Sequence, residues 1–314
     1  MNHSVKQAIS AFENNQLVAI PTETVYGLAA PINNIKLIEK IFFLKKRPFY
    51  DPLICHISDK NQISLLSDDF DPLLLNLAQK FWPGPLTFVV PKLSSVSDMI
   101  TSGLDSVAIR MPDHPLTLEL ITEMKIPLAA PSANLFGKVS PTSESHVTDS
   151  FKPDDVFVLR GGDCKGGIES TVVKLDKSKK QIVILRPGLV TLSMLAQNPD
   201  VLKSGYSVVH SLNSAQESPG QLAHHYMPDK PLCLIDESSN MDMIKSQFAT
   251  FDFLQLPAEA VLAARDLYGK LRAMDKKSGQ AILLKMESDW SGELWDSIKE
   301  RLQKASSFDF RKKH

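Results

Sequence analysis

The chain has 314 residues, a formal net charge of −1, 43% hydrophobic residues and 23% charged residues. These values are typical of a globular protein, and the length allows either two domains or one large α/β domain. The near-neutral charge excludes a global basic field that would indicate a nucleic-acid partner, although a local basic patch remains compatible with it. The apolar runs fall short of the roughly 20 residues that a membrane-spanning helix requires.

The three cysteines, Cys55, Cys164 and Cys233, are far apart and form neither a CxxC pair nor a zinc-ligand spacing. We therefore expect reduced thiols and a cytoplasmic protein. The first 15 residues follow the pattern of an amphipathic helix and not that of a signal peptide.

The N-terminal part of the chain alternates short apolar runs with segments of helical periodicity. The helix predictions rest on the spacing of apolar residues and on caps such as Asn34. The strand predictions rest on short aliphatic runs bounded by turn residues. The predicted helices are 5–12, 35–44, 71–81 and 115–124, and the predicted strands are 17–20, 53–57, 86–90, 106–110, 127–130, 156–159, 168–173 and 182–185.

The composition shifts near residue 200. Residues 203–228 are rich in Ser, Gly, His and Pro, and we interpret them as a linker or lid because such long loops are usually functional. Beyond it, strands and helices alternate strictly, which predicts a small parallel sheet with covering helices. The predicted strands are 232–235, 251–256 and 281–284, and the predicted helices are 241–248, 258–274 and 293–305.

Polar and cationic side chains gather at the ends of the predicted N-terminal elements. Thr22, Glu23, Thr24 and Tyr26 follow the strand 17–20, and ligands of open α/β sheets bind outside the carboxyl ends of strands. Hydroxyls at a strand end can also simply satisfy local backbone groups. Other candidates at strand or helix ends are Lys45, Lys46, Arg47, His56, Arg110 and Arg186.

These residue types suit a polyanion, such as a nucleoside triphosphate, together with a small zwitterion. Taken alone, His56 would be interpreted as a packing histidine and Lys46 as a solvated helix end. The segment 161–167 has four glycines but no GxxxxGK[ST] signature. It is either a cradle for an anion or a turn that shapes the pocket.

Eight short strings, in order along the chain, resemble the threonylcarbamoyl-AMP synthase family, with its YrdC-like fold, in the two-domain form of that family. The string SPGQLAHHYMP (218–228) resembles the linker of that form, and 263–306 resembles its C-terminal domain. The strings are PTETVYGL (21–28), KKRPFYDPLICHI (45–57), FWPGPLT (81–87), SVAIRMPDHP (106–115), PLAAPSAN (127–134), SPT (140–142), GGIESTVV (166–173) and ILRPG (184–188).

The resemblance implies a YrdC-like open twisted α/β domain over 1–202, a linker or lid over 203–229 and a Rossmann-like parallel α/β domain over 230–314. It implies condensation of L-threonine, bicarbonate and ATP into threonylcarbamoyl-AMP and pyrophosphate, with Mg²⁺ accompanying ATP. Other proteins would then pass the threonylcarbamoyl group to an adenosine of tRNA. Direct contact with tRNA is expected to be weak at most, and no membrane partner is expected.

The resemblance also assigns roles to residues that match the family's motifs. His56 and Lys45 are the candidates for a catalytic role, although His56 could either orient threonine or accept a proton. The threonine-binding positions are matched by Thr24, His56, Arg110, Ala130 and Ser170. The ATP-binding positions are matched by Arg47, Asp51, Ser106, Ser132, Asn134, Ser140, Arg186 and Tyr226.

Two residues depart from the family pattern. Asp51 stands where Asn is more common, and a carboxylate near phosphates is repulsive unless it is protonated, metal-bound or turned away. Met227 stands where a small residue is common. Two other functions are compatible with the sequence: an RNA-binding module with a YrdC-like concave surface, and a carbamoyl-adenylate enzyme with another acceptor. The neutral charge and the scarcity of aromatic residues argue against the first.

Overall fold

The computed structural model describes residues 1–211 and 225–311, which form two α/β domains, each built on its own sheet. The N-terminal sheet has ten strands and mixes parallel and antiparallel pairs, whereas the C-terminal sheet has four parallel strands. Over the ranges described, no helix combines the length and the apolar character needed to cross a bilayer.

The N-terminal domain interleaves its ten strands with helices. Its helices are α1 (His3–Glu13), α2 (Ile35–Lys45), α3 (Pro72–Phe81), α4 (Asp98–Thr101), α5 (Pro115–Met124), α6 (Glu144–Thr148), α7 (Leu192–Ala196) and α8 (Pro199–Ser204), with a 3-10 helix over Lys60–Leu65. Its strands are β1 (Leu17–Ile20), β2 (Gly27–Pro31), β3 (Ile54–His56), β4 (Leu86–Pro91), β5 (Ser106–Arg110), β6 (Leu128–Ala130), β7 (Val156–Val158), β8 (Thr171–Asp176), β9 (Gln181–Arg186) and β10 (Ser207–His210).

The strand order of this sheet is β10-β9-β8-β4-β5-β3-β6-β2-β1-β7. The central strands β3 and β5 run parallel, and His56 is the register partner of Arg110. Ile54 is the partner of both Ala108 and Ala130. Because side chains alternate across a strand, the even-numbered residues of β3 and β5 share one face of the sheet.

The main apolar core of the N-terminal domain packs helices against that sheet. On α2, for example, Leu37, Ile38 and Ile41 are fully buried, and the Asn34 side chain accepts a hydrogen bond from the Leu37 amide at the helix start. A smaller cluster contains Ile54 and Ala108, the register partners on the face shared by His56 and Arg110. Alternation in the central strands thus separates the apolar core from the chemistry-bearing face.

The C-terminal domain is a parallel sheet with helices on both faces. Its elements are β11 (Leu232–Ile235), α9 (Met241–Gln247), β12 (Phe251–Leu254), α10 (Ala260–Asp275), β13 (Ala281–Lys285), α11 (Glu293–Ala305) and β14 (Phe308–Asp309). Alternate residues of β11 separate into two clusters, with Leu232 and Leu234 in one and Cys233 and Ile235 in the other. The first cluster includes residues of α10 and α11, and the second includes Ile244 of α9.

The two domains meet along α10 and α11. The apolar cluster beneath these helices also contains Val25, Val139 and Ile168 of the N-terminal domain. Gly167 has a φ of +77°, and a Cβ there would lie 2.4 Å from the backbone of Ala264 and Arg265. Glycine therefore permits both the backbone conformation and the close approach of α10.

Most predicted elements are confirmed, including the parallel C-terminal sheet and the bounds of β5, α5 and α11. Other segments differ from the sequence-based prediction: β8 begins at Thr171 and not at 168, and the short helices α4, α7 and α8 were not predicted. Gly27–Pro31 was not predicted either; it is a strand, because Gly27 pairs with Ile20 across an antiparallel ladder. Ser207–His210 pairs with β9 in the N-terminal sheet, so the linker predicted from residue 203 starts later. Its residues 212–224 lie outside the described part.

Candidate functional site

A buried cavity of about 50 Å³ lies at the ends of the central N-terminal strands and is closed on one side by residues 225–226. Nine residues predicted for the site line it. Their side chains come from the loop after β1, the ends of β3, β5, β6 and β9, and the segments flanking them. They are Thr24, Arg47, His56, Arg110, Ala130, Ser132, Ser170, Arg186 and Tyr226.

Arg110, at the carboxyl end of β5, is buried and already held by protein groups. Its Nη2 lies 2.7 Å from Oε1 of Glu23, and its Nε donates to the carbonyl oxygen of Gly84 at 3.2 Å. The other carboxylate oxygen of Glu23 accepts from the Asp113 amide at 2.9 Å. Because Glu23 and Gly84 engage two of its nitrogens, Arg110 is oriented before any ligand arrives.

His56 is buried beside Arg110, and its imidazole is uncharged at neutral pH. Burial, with the nearby positive charge of Arg110, lowers the pKa of His56 to about 3. Nδ1 lies 3.1 Å from the carbonyl oxygen of Ile54. Since a carbonyl oxygen only accepts, this contact is a hydrogen bond in the tautomer that carries its proton on Nδ1.

Arg186 and Ser170 form a second polar group in the cavity wall. Nε and Nη2 of Arg186 donate to the carbonyl oxygen of Ser170 at 3.1 and 2.9 Å, and Nη2 also donates to Ser170 Oγ at 3.1 Å. Ser170 Oγ lies 2.8 Å from Thr87 Oγ1. Arg186 therefore fixes both the backbone and the hydroxyl of Ser170. Burial lowers the pKa of Arg186.

Lys45, Arg47 and Asp51 follow one another at the end of α2 and are all buried. Arg47 Nη2 lies 2.9 Å from Asp51 Oδ2, so the carboxylate faces the guanidinium. Burial raises the pKa of Asp51, against the opposing effect of Arg47 and Lys45. Lys45 Nζ donates to the carbonyl oxygen of Ser132 at 2.6 Å, and burial lowers its pKa well below its usual range.

Glu169 lines the cavity and connects it to the C-terminal domain. Its Oε1 accepts from Ser140 Oγ at 2.7 Å. Its Oε2 accepts from the Tyr268 hydroxyl at 2.8 Å and from Arg301 Nε at 3.2 Å. Burial raises the pKa of Glu169, but Arg301 and Arg186, together with the hydrogen bond from Ser140 and a backbone hydrogen bond, hold the pKa below its usual range.

Tyr226 closes the cavity from the C-terminal side. It is 1% exposed and has a φ of +65°. Its ring stacks on that of Tyr268 at a centroid distance of 5.5 Å. The neighbouring backbone contacts both domains, because the His225 amide donates to Lys304 and the Met227 amide donates to Gly137.

Five predicted site residues do not line the cavity itself. Four of them are buried behind the lining residues. Lys45 contacts Ser132, Asp51 contacts Arg47, Asn134 contacts Lys138 and Ser140 contacts Glu169. Ser106 is partly exposed and lies at the opposite end of β5 from Arg110, roughly 13 Å away along the strand. The ligand assignments of all fourteen residues stay predictions.

Thr87 and Glu169 contact or line the site but were not predicted to belong to it. Glu23 was predicted only as a polar group at a strand end, without a ligand, and Glu169 only as part of the strand 168–173. Their partners lie far away in the sequence, and Glu169 and Arg301 are 132 positions apart. No local spacing could have revealed those pairs.

Five buried polar atoms in or near the cavity wall have no hydrogen-bond partner within 1–211 and 225–311. Three of them, Glu23 Oε1, Arg110 Nη2 and Asp51 Oδ2, lie in ion pairs, and the other two are Asn134 Oδ1 and His225 Nδ1. Burying a polar atom without a partner is costly, so such atoms often mark places where a ligand binds. In the same ranges, no group of three or more His, Cys, Asp or Glu side chains is arranged to hold a metal ion.

Comparison with protein families assigns nearly the whole chain to two family models. Residues 10–188 match the model of Sua5, YciO and YrdC proteins, which is described as "Telomere recombination". Residues 190–307 match "Threonylcarbamoyl-AMP synthase, C-terminal domain".

The chain is similar to curated proteins over most of its length. It is 41% identical over 237 residues to the threonylcarbamoyl-AMP synthase of Bacillus subtilis, which covers 74% of this chain and 67% of that protein. It is 33% identical to the Pyrococcus abyssi synthase over 97% of this chain and 94% of that protein. The solved structure of P. abyssi Sua5 complexed with L-threonine matches with a TM-score of 0.83 and 33% identity, over 98% of this chain and 96% of that one.

Proposed function

The chain belongs to the threonylcarbamoyl-AMP synthase family of nucleotidyl-transferring enzymes, and from that premise we propose that it condenses L-threonine, bicarbonate and ATP into threonylcarbamoyl-AMP and pyrophosphate. Its product would pass to other proteins that modify an adenosine of tRNA. The observation that carries the proposal is the convergence of Arg47, Arg110 and Arg186 on one buried cavity. Three guanidinium groups there suit two anionic substrates.

Arg110 is the proposed partner of the threonine carboxylate. Its Nε donates to Gly84, and its Nη2 lies in an ion pair with Glu23 without a hydrogen bond of normal geometry. A two-pronged contact with the carboxylate that uses Nη2 therefore requires Nη2 to exchange its pairing with Glu23. The solved P. abyssi relative was complexed with L-threonine, which supports assigning this ligand to the cavity.

The nucleotide is assigned to the side of the cavity that carries Arg47 and Arg186. Their charges would offset the triphosphate, with Lys45 behind them. Mg²⁺ would enter with ATP and be held by phosphate oxygens, because the carboxylates of Glu23, Asp51 and Glu169 each face an arginine. When bound, the ion would neutralise phosphate charge.

The chemistry we propose needs no covalent enzyme intermediate. The threonine amine captures CO₂ with release of a proton, or bicarbonate with release of water. An oxygen of the resulting carbamate then attacks the α-phosphate, the bond from the α-phosphorus to the bridging oxygen breaks, and pyrophosphate leaves. The contribution of the protein is then positioning and stabilisation of charge. With a pKa of about 3, His56 is a poor proton acceptor at neutral pH. We therefore propose that it orients threonine.

The cavity of about 50 Å³ is smaller than the roughly 300–1,000 Å³ of sites for drug-sized ligands. ATP and threonine together need more room than this conformation offers. Tyr226 lines the cavity and is buried against Tyr268. We propose that the segment around Tyr226 moves to admit the nucleotide and returns to exclude water.

The test is pyrophosphate release from ATP by the purified protein with Mg²⁺, with and without L-threonine and bicarbonate. We expect release only when both are present. We expect Arg110→Ala to lower kcat/KM for threonine by roughly 100-fold, which is about 3 kcal/mol. Arg160→Ala is the matched control, because Arg160 is 79% exposed and 3.9 Å from its partner Glu144.

Two other outcomes would contradict the proposal. ATP turnover that is indifferent to threonine would indicate another acceptor for the carbamoyl group. Absence of turnover, with RNA retained by the protein at moderate salt, would favour the RNA-binding module instead.

A further inference from the structure

We propose that Arg301 and Tyr268 of the C-terminal domain are positioning residues for the cavity, which they shape by holding Glu169 as a charged and immobile carboxylate. Glu169 in turn places Ser140 and Ser170. The inference rests on the proposed function for the assignment of ATP and threonine to this cavity. It gives the C-terminal domain a defined part in the reaction, although Arg301 and Tyr268 do not line the cavity.

The cluster is buried and well connected. Ser140 and Tyr268 are 0% exposed, Arg301 is 1% exposed and Glu169 is 7% exposed. Glu169 accepts three hydrogen bonds, of which one comes from the N-terminal domain and two from the C-terminal domain. Arg301 is itself held by donation from Nη1 to the Ser297 carbonyl oxygen, one turn earlier in α11.

A carboxylate in this wall requires compensation, because the proposed nucleotide carries several negative charges. Burial alone would favour the protonated form of Glu169, and Arg301, followed by Arg186 and the Ser140 hydrogen bond, opposes that effect. Arg186 contacts Ser170 through Nε and Nη2, whereas Arg301 contacts Glu169 directly. The compensating ion pair is therefore contributed by the C-terminal domain.

The link from Glu169 to the substrates runs through two predicted binding residues. Ser140 donates its hydroxyl proton to Glu169, which sets the direction of that hydroxyl. Ser170 follows Glu169 in the chain and is clamped by Arg186. A shift of Glu169 would consequently move a predicted ATP-binding residue and a predicted threonine-binding residue together.

The experiment measures steady-state pyrophosphate release by the full-length chain and four variants: Arg301→Met, Glu169→Gln with Arg301→Met, Tyr268→Phe and Arg265→Met. Arg301→Met leaves a buried carboxylate without its partner. We expect KM for ATP to rise by roughly 10- to 100-fold with a smaller change in kcat, because the uncompensated charge repels ATP before and during the reaction.

The double variant removes both charges. We expect its kcat/KM for ATP to be about tenfold higher than that of Arg301→Met. Tyr268→Phe keeps the ring that stacks on Tyr226 but removes one hydrogen bond, so a rise of about threefold to tenfold in KM is expected. Arg265→Met is the control on the same helix as Tyr268. Arg265 is half-exposed and pairs with Asp266, and we expect a change below about twofold.

A purely structural role predicts a different pattern. Partial unfolding lowers the number of active molecules, and therefore kcat, without changing KM for the folded fraction. Unchanged KM values in Arg301→Met and Tyr268→Phe would overturn the proposal, as would a double variant no better than Arg301→Met. If Arg301→Met does not fold, Tyr268→Phe and the double variant decide the question.

Calorimetric titration with ATP, which needs no turnover, separates this inference from the proposed reaction. A wild-type protein that binds ATP but shows no threonine-dependent release would contradict the proposed reaction alone. If Arg301→Met loses ATP affinity and the double variant regains it, the positioning role of Arg301 through Glu169 would still be supported. Equal ATP affinity in all five proteins would overturn the inference even if the proposed reaction is observed.

Discussion

The two domains contribute to the cavity in different ways. In the N-terminal domain the sheet itself does so, since His56 and Arg110 are register partners on neighbouring strands and their side chains leave the same face. In the C-terminal domain both faces of the sheet are covered by apolar clusters, and the contacts come from helices α10 and α11. A residue at a strand end is positioned by its own sheet. The contacts of α10 and α11 with Glu169, by contrast, exist only while the two domains are packed together.

The docking itself gives the largest expected effect on stability. We expect Gly167→Ala to lower the free energy of unfolding by about 3 kcal/mol, because it combines the strain of a positive φ with overlap against the backbone of α10. Denaturant unfolding, followed by tryptophan fluorescence, measures this change.

Gly162→Ala is the matched control. Gly162 has a φ of +78°, but a Cβ there would meet nothing within 4 Å. Only the backbone strain remains, and we expect a cost of about 1 kcal/mol. Equal costs at both positions would mean that the approach of α10 does not limit the packing of the two domains.

The contribution of the N-terminal domain to ATP binding is tested by removing one positively charged side chain at a time. We expect Arg47→Gln to raise KM for ATP by roughly 30- to 100-fold, which is about 2 to 2.7 kcal/mol, because a buried guanidinium that lines the cavity is lost. Lys46→Gln removes the adjacent but exposed charge. A change of more than about threefold in that control would argue for a diffuse electrostatic effect instead of a specific contact.

The pH dependence of stability tests the burial of His56 between its two strands. Its pKa of about 3 in the folded protein lies below the roughly 6.5 of an unfolded histidine. As pH falls below 6.5, His56 binds a proton in the unfolded state but stays neutral in the folded state. The free energy of unfolding therefore decreases between pH 6.5 and 3. Between pH 7 and pH 5 we expect His56 to account for a loss of about 2 kcal/mol.

The measurement compares denaturant unfolding of wild type and His56→Gln at pH 7 and pH 5. The variant should lose about 2 kcal/mol less over this interval, whatever its stability at pH 7. His3→Gln makes the same substitution at an exposed position and controls for the change of residue type. Parallel pH profiles for wild type and His56→Gln would show that the imidazole is accessible to protons in the folded state.

Local patterns in the sequence predict most of the long helices and strands and the general nature of the site. The string SVAIR predicted β5 with its bounds, and the arginine that ends it lies in the cavity. The alternation of strands and helices after residue 230 predicted a parallel sheet, because each helix must carry the chain back before the next parallel strand begins. Local patterns suffice here, since periodicity and caps act over a few residues.

Which charged side chains pair with each other depends on the folded structure. Glu23 pairs with Arg110, and Glu169 pairs with Arg301, over distances in the chain that no motif spans. The strand at Gly27–Pro31 was missed for a related reason, since its ladder partners in β1 and β6 were needed to distinguish it from a turn. Ion pairs and strand ladders join residues that folding brings together, and their energies depend on burial that a linear pattern does not record.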